Sequence, residues 1–220
     1  MIVRMPINDR TSTDDDGVGS FEHDKGLYAQ LIKNFWVLGD ERPAFMSASS
    51  FDELFLSAVA GSNLAESLGG SESEDSIWGS AGKDSLFGEG GNDWIYGGRG
   101  NDRLTGGGGR DTLTGGAGQD TFLFGNGDST GGVGEADLIH DFGDAEDKLS
   151  LARIDANLLV AGNQGFVLIG NGQFSGAAGE LRLVTGESTL LEGNVDADLD
   201  AEFSLVLLGS HAFDTGNLIL

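Results

Sequence analysis

The feature that most constrains this chain is a nine-residue period that runs without a slip. Written in nines from Gly79, the sequence reads GSAGKDSLF, GEGGNDWIY, GGRGNDRLT, GGGGRDTLT and GGAGQDTFL. Two looser units precede them in phase, Gly70 to Trp78 (GSESEDSIW) and Gly61 to Gly69 (GSNLAESLG), the second with Glu66 in the acidic position. Aspartate therefore recurs at Asp75, Asp84, Asp93, Asp102, Asp111 and Asp120. An apolar residue follows two places later each time, at Ile77, Leu86, Ile95, Leu104, Leu113 and Phe122.

Each unit reads as a turn plus a short strand, because its first six positions are glycine-rich and its last three can pack. Glycine supplies the positive φ angles and bare carbonyls that a tight loop needs. Alternation in the strand turns the eighth residue inward and the seventh and ninth outward. A single unit buries almost nothing, so the units must stack into a solenoid. Two units per coil predict two facing sheets, with Asp84, Asp102 and Asp120 in one column and Asp75, Asp93 and Asp111 in the other.

Coils stacked about 4.8 Å apart bring like charges close enough to repel by roughly 3 kcal/mol at an effective dielectric of 20. A hard divalent cation between loops reverses that sign. Ca²⁺ suits the site, because aspartates and loop carbonyls offer six or more oxygens, whereas Mg²⁺ keeps waters and demands a tight octahedron.

Composition agrees with that reading. Of 38 glycines, 23 lie between Gly61 and Gly134. With 36 acidic against 12 basic residues and a net charge of −24, the chain has nothing to neutralise nucleic-acid phosphate. It has no cysteine, which removes disulfides and thiolate metal sites. No stretch is apolar for long enough to span a membrane, and the N-terminus shows no cleavable signal pattern.

The repeats resemble the G-G-x-G-x-D-x-U-x nonapeptide of RTX proteins. That resemblance implies a right-handed parallel β-roll with each Ca²⁺ between one loop and the loop two units later, roughly four to six ions in all. The sites pair Asp84 with Asp102, Asp93 with Asp111, Asp102 with Asp120, and Asp75 with Asp93. Loop carbonyls complete the shells, at Gly82, at Gly88, Gly90 and Gly91, and at Gly97, Gly98, Arg99 and Gly100. The next two loops offer those of Gly106, Gly107, Gly108 and Gly109, then Gly115, Gly116, Ala117 and Gly118. Ser80 and Glu89 stand where the pattern has its second glycine.

After the repeats, Asp120-Thr-Phe-Leu-Phe124, Asp137-Leu-Ile-His-Asp-Phe142 and Glu146-Asp-Lys-Leu-Ser-Leu151 are similar to the C-terminal domain of serralysin-type metalloproteases. So are Phe174 to Arg182, Gly193 to Phe203 and Asn217-Leu-Ile-Leu220. This resemblance implies Asp128, Asp137 and Asp147 as further calcium ligands, an uncleaved C-terminal signal read by type I secretion machinery, and an extracellular location. The catalytic zinc motif H-E-x-x-H of that family is absent, since the only histidines are His23, His140 and His211.

The expected organisation is a partly helical cap over residues 1–60, a calcium-binding roll over 61–134, and a strand-rich C-terminal cap over 135–220. In the first zone helical spacing predicts one helix over 24–38, and a capping box at Ser50 to Glu53 predicts a shorter one ending near Val59. In the last, strands are expected at 138–139, 149–154, 166–169, 181–184, 203–208 and 218–220. Asp196, Asp198 and Asp200 fail the EF-hand template, with Ala201 and Leu207 in its glycine and glutamate positions, and read as a polar turn. Trp78, Trp94 and Tyr96 read as cover for the outer roll face before a sugar-binding strip. The expected function is a non-catalytic calcium-binding module that folds after export. The alternatives are the end of a zinc protease or a small polysaccharide-binding protein.

Overall fold

The computed structural model describes residues 58–130, 135–143, 146–211, 213 and 216–220. The helix expected over 24–38, and most of the one opening at Ser50, lie outside these residues. Among the described residues every element is a strand.

The repeats wind into two facing sheets as the period requires. Five strands alternate on one side: β1 (Ala58–Ala60), β3 (Ser76–Ala81), β5 (Trp94–Arg99), β7 (Thr112–Ala117) and β9 (Asp137–Ile139). The other side takes β2 (Ser67–Ser71), β4 (Ser85–Gly90), β6 (Arg103–Gly108), β8 (Thr121–Gly125) and β10 (Lys148–Arg153). Every neighbouring pair in these two runs is parallel. Val59, which the sequence pattern assigned to the end of a helix, lies instead in β1, where it registers with Ile77. Its β-branched side chain suits the pleat and fills the first rung of the core.

The eighth residue of each unit points into the space between the sheets. Val59, Ile77, Ile95, Leu113 and Ile139 stack in register on one side, and Leu68, Leu86, Leu104, Phe122 and Leu149 on the other. All are at most 2% exposed. Burying each such side chain contributes roughly 1.5–3 kcal/mol. Every coil thus adds one apolar residue to each sheet and little else to the core.

The strands are longer than the unit's apolar part. Each full repeat strand has six residues and runs from the seventh position of one unit through the third of the next, as in Ser85–Gly90. The glycines at its end read as turn by composition, yet their N–H and C=O groups pair across coils like any others. Only three positions per unit are left for the loop.

Beyond the repeats both sheets continue. β9 docks on β7 and β10 on β8, and β10 takes β15 (Leu218–Ile219) as its outer neighbour. The first sheet extends through β14 (Phe203–Leu208), β13 (Ser188–Asn194) and β12 (Glu180–Thr185) to β11 (Val167–Gly170). β12, β13 and β14 form an antiparallel meander, and Arg182 of β12 pairs with its cross-strand partner Glu192 at 2.8 Å. The expected C-terminal strands are all present, and β13 is an addition to them.

Candidate metal centre

At the corner between loop and strand, each repeat aspartate from Asp84 to Asp120 is buried and does two separate jobs with its two oxygens. Asp84 Oδ1 accepts the backbone N–H of Glu66, Asp93 that of Asp75, Asp102 that of Asp84, Asp111 that of Asp93, and Asp120 that of Asp102, each at 2.8 Å. The carbonyl of the lower residue then accepts the N–H that follows the upper aspartate, as Arg103 N donates to Asp84 O at 2.9 Å. Each aspartate from Asp84 to Asp120 is therefore a rung fixed from above and below, with a stride of 18 residues within the repeats. The two columns fall where the period placed them.

The columns run past the repeats. Asp137 Oδ1 accepts from Asp111 N at 2.7 Å, and Asp147 Oδ1 accepts from Asp120 N at 2.9 Å. Asp128 faces the same end of its column, with Oδ2 accepting Gly125 N at 2.7 Å. Ser129 ties that end down, its hydroxyl donating to Ser204 O and accepting from Asp137 N.

The second oxygen is where the chemistry lies. Oδ2 of Asp84, Asp93, Asp102, Asp111, Asp120 and Asp137 is buried with no hydrogen-bond partner. An unpaired buried carboxylate oxygen is costly, and buried charges are found paired or on metal. Burial, followed by the charge of Asp137, lifts Asp111 from an ordinary 3.8 to about 8. Burial likewise raises Asp93, Asp120 and Asp137 to about 7, and raises Asp84, Asp102 and Asp147.

First-position carbonyls crowd the space beside these oxygens, and other loop carbonyls line the stack. A methyl group on Gly88, Gly97, Gly106 or Gly115, the first loop position, would come within 3.0 Å of the unpaired Oδ2 of its own loop. At Gly88 and Gly97 it would also meet the carbonyl of Gly106 or Gly115 in the next coil. From the other side, the second-position carbonyls of Ser80, Glu89 and Gly98 lie against Gly98, Gly107 and Gly116 of the next coil. The fourth-position carbonyls of Gly82, Gly91 and Gly100 lie against Gly100, Gly109 and Gly118. The donor set is therefore oxygen throughout, carboxylate plus peptide carbonyl, which fits Ca²⁺.

The remaining predicted positions have distinct places. Fourth-position glycines, Gly82 to Gly118, all have positive φ, between 108° and 145°. Ser80 and Glu89 adopt the same left-handed turn as the glycines they replace, at φ 78° and 76°. The third position differs: Arg99, Gly108 and Ala117 use their carbonyls to accept N–H from Gly82, Gly91 and Gly100. Gly108 has open space where a Cβ would be, and Gly90 faces the side chain of Glu72.

Two features escaped the sequence reading. Asn92 and Asn101 use Oδ1 to accept the N–H of Arg110 and Gln119 one coil on, a second ladder beside the first. Asp141 accepts Gly115 N at 2.9 Å and Gly116 N at 2.8 Å, ending the glycine strand of β7 with a carboxylate fork. Asp196, Asp198 and Asp200 form the expected polar turn, each N–H donating to the acidic or amide oxygen two residues earlier.

The RTX calcium-binding nonapeptide repeat (4 copies) matches residues 69–104 and 96–130. A similar solved structure is the AlgE6R2 subunit of the mannuronan C5-epimerase of Azotobacter vinelandii, 32% identical over 70% of this chain and 91% of the subunit, with a TM-score of 0.50. The AlgE6R3 subunit of that enzyme is 29% identical over 72% of this chain and 80% of its own, with a TM-score of 0.36. No curated protein matches the chain. Repeat phase, facing parallel sheets, buried acidic columns, the repeat-family match and the likeness to the AlgE6R2 subunit converge: the chain belongs to the RTX calcium-binding repeat family and is a calcium-binding parallel β-roll.

Proposed function

We propose that the protein is a calcium-driven folding and export module, unfolded or loose where calcium is scarce and folded after type I secretion. The observation that carries this reading is the set of unpaired, buried Oδ2 atoms at Asp84, Asp93, Asp102, Asp111, Asp120 and Asp137. A folded roll without cations must hold them protonated or bear their repulsion.

In this reading each ion sits between loops one coil apart. Asp84 with Asp102, Asp93 with Asp111 and Asp102 with Asp120 supply carboxylates, and first-, second- and fourth-position carbonyls supply the rest. Asp137 extends one column beyond the repeats with its Oδ2 unpaired, whereas Oδ2 of Asp128 and of Asp147 accepts the N–H of Gly125 and Gly143, so these two close the column ends as hydrogen-bond acceptors. When bound, the cation supplies charge compensation and cross-links successive coils. The chain's own part is to hold each carboxylate by its Oδ1, so that Oδ2 is aimed at the ion as the coils close.

Occupancy at ten times the dissociation constant adds about 1.4 kcal/mol per site, so four sites add on the order of 5–6 kcal/mol. That equals the stability of a typical small domain. The roll over 61–134 then needs calcium to fold. In this reading the strand-rich unit over 135–220 carries the export signal.

Circular dichroism during calcium titration into EGTA-treated protein tests the folding step, and β-content indifferent to calcium refutes it. Export by a type I transporter, with and without the last four residues, tests the second.

A further reading places this module at the end of a larger secreted enzyme, non-catalytic itself. It is favoured by the likeness to a subunit of an epimerase. A co-purifying or adjacent catalytic chain would support it. A polyanionic glycan partner is opposed by the −24 charge unless calcium bridges the two.

A further inference from the structure

The acidic columns are not uniform, and their first rungs do not fit a metal. In the repeat loops from Gly79 onward, Oδ2 of each rung aspartate, Asp84 to Asp120, is unpaired. In the two preceding loops the corresponding oxygen is already taken. Glu66 Oε2 accepts the N–H of Ser62 at 2.5 Å. Asp75 Oδ2 accepts the N–H of Ser71 at 2.6 Å and its hydroxyl at 2.8 Å. The free oxygen of Asp75 is Oδ1, the atom that in every later repeat rung faces the preceding coil.

The backbone of these two loops departs in the same way. Later loops turn left-handed at the second and fourth positions, from Ser80 and Gly82 through Gly116 and Gly118. Ser62, Leu64, Ser71 and Ser73 hold those positions in the first two loops, and none has a positive φ. The second-position N–H is thereby turned onto the carboxylate, which it does not reach in the later repeat loops. A hydrogen-bond donor then stands where a cation has to.

We propose that loops 61–66 and 70–75 bind no calcium and form a metal-independent N-terminal cap, with serine donors in the place of the ion. Calcium sites begin with the loop of Gly79. The inference rests on the calcium reading above and restricts it. A hydrogen-bonded turn is complete within itself, so these two loops keep their shape without an ion.

The test counts ions on the full chain. Bound calcium is measured by atomic emission after dialysis against saturating calcium, and the calcium midpoint by circular dichroism, for wild type, Glu66→Gln, Asp75→Asn and Asp102→Asn. The first two variants are expected to keep the wild-type ion count and to shift the midpoint by less than about twofold, whereas Asp102→Asn loses an ion and shifts it severalfold. Anomalous scattering from wild-type crystals grown in calcium gives a readout free of any folding defect in the variants. Peaks are expected beside loops from Gly79 on and none within 61–75. A peak beside Asp75, or an ion lost in Asp75→Asn while others stay bound, overturns this inference alone. Wild-type protein that binds no calcium overturns the functional reading and this one with it.

Discussion

Replacing Asp111 by Asn should change the sign of its effect with calcium. Asparagine keeps an oxygen to accept the N–H of Asp93, so the rung stays hydrogen-bonded. It removes the charge at Oδ2, which is buried and unpaired beside Gly106. Without calcium that charge is a burden. Burial, then the neighbouring charge of Asp137, raises the carboxyl from 3.8 to about 8, so burying it near pH 7.5, where it is mostly protonated, costs on the order of 5 kcal/mol relative to the unfolded chain. The asparagine variant escapes this cost. With calcium present the balance reverses, since losing one site occupied at ten times its dissociation constant removes about 1.4 kcal/mol, and more at higher calcium. The assay is β-content by circular dichroism in excess EGTA, together with the urea midpoint in millimolar calcium. Asp111→Asn is expected to gain β-structure over wild type in EGTA and to unfold at lower urea in calcium. A variant less stable than wild type under both conditions would refute the reasoning, because it would mean that Asp111 acts through packing or hydrogen bonding alone.

The remaining predictions follow from the same geometry. Asp93, Asp120 and Asp137 at about 7 and Asp111 at about 8 hold protons more tightly folded than unfolded, where the value is 3.8. Their protonation therefore favours the calcium-free roll fully below about pH 4 and ceases to do so as pH rises through 7 to 8, so EGTA-treated protein should show more β-structure near pH 5 than near pH 8.5 by circular dichroism. In calcium the trend inverts, and the calcium midpoint should rise as pH falls because protons compete for the same oxygens. Ser80→Gly and Glu89→Gly should each stabilise the calcium-loaded roll by about 0.5–1 kcal/mol in urea melts, since both residues now sit at positive φ. Gly97→Ala should abolish one calcium site in an ion count, its methyl lying against Asp102 Oδ2 and Gly115 O, whereas Gly108→Ala has open space and should leave the count unchanged.

The period was enough to read off the two columns, the inward apolar position and the alternation of units between sheets, because a slip of one residue would have turned every leucine outward. What it concealed was the work of the backbone. Composition marks Gly88 and Gly90 as loop, yet a glycine N–H pairs across coils as well as any other, and β4 runs on to Gly90. β13 was missed because its buried positions are Thr189, Leu191, Gly193 and Asn194, a mixture with only one large apolar residue. The Asp141 fork has no local signature, since its partners Gly115 and Gly116 lie about a coil and a half upstream and only the stacked fold brings them together. The closure of the first two rungs did have a signal: Ser62, Leu64, Ser71 and Ser73 replace glycine in the very loops where the phase is kept but the pattern is not.

The division of labour between the two carboxylate oxygens explains how a chain so acidic finds one register when calcium folds it. If both oxygens of each aspartate served the metal, the loop corners would have no fixed geometry until ions arrived, and coils could pair one unit out of step. Because Oδ1 accepts the N–H of the rung 18 residues earlier, the stacking register is written in hydrogen bonds that need no cation. Calcium stabilises the order that those hydrogen bonds specify as the coils close, removing repulsion at Oδ2. Asp102→Ala and Asp102→Asn separate the two roles. Both forfeit the ion, but only alanine leaves Asp84 N–H without its acceptor, at a further cost of about 1–3 kcal/mol. Equal destabilisation of the two variants in calcium would show that the hydrogen bond contributes nothing to the register, and the ladder would then owe its order to the metal alone.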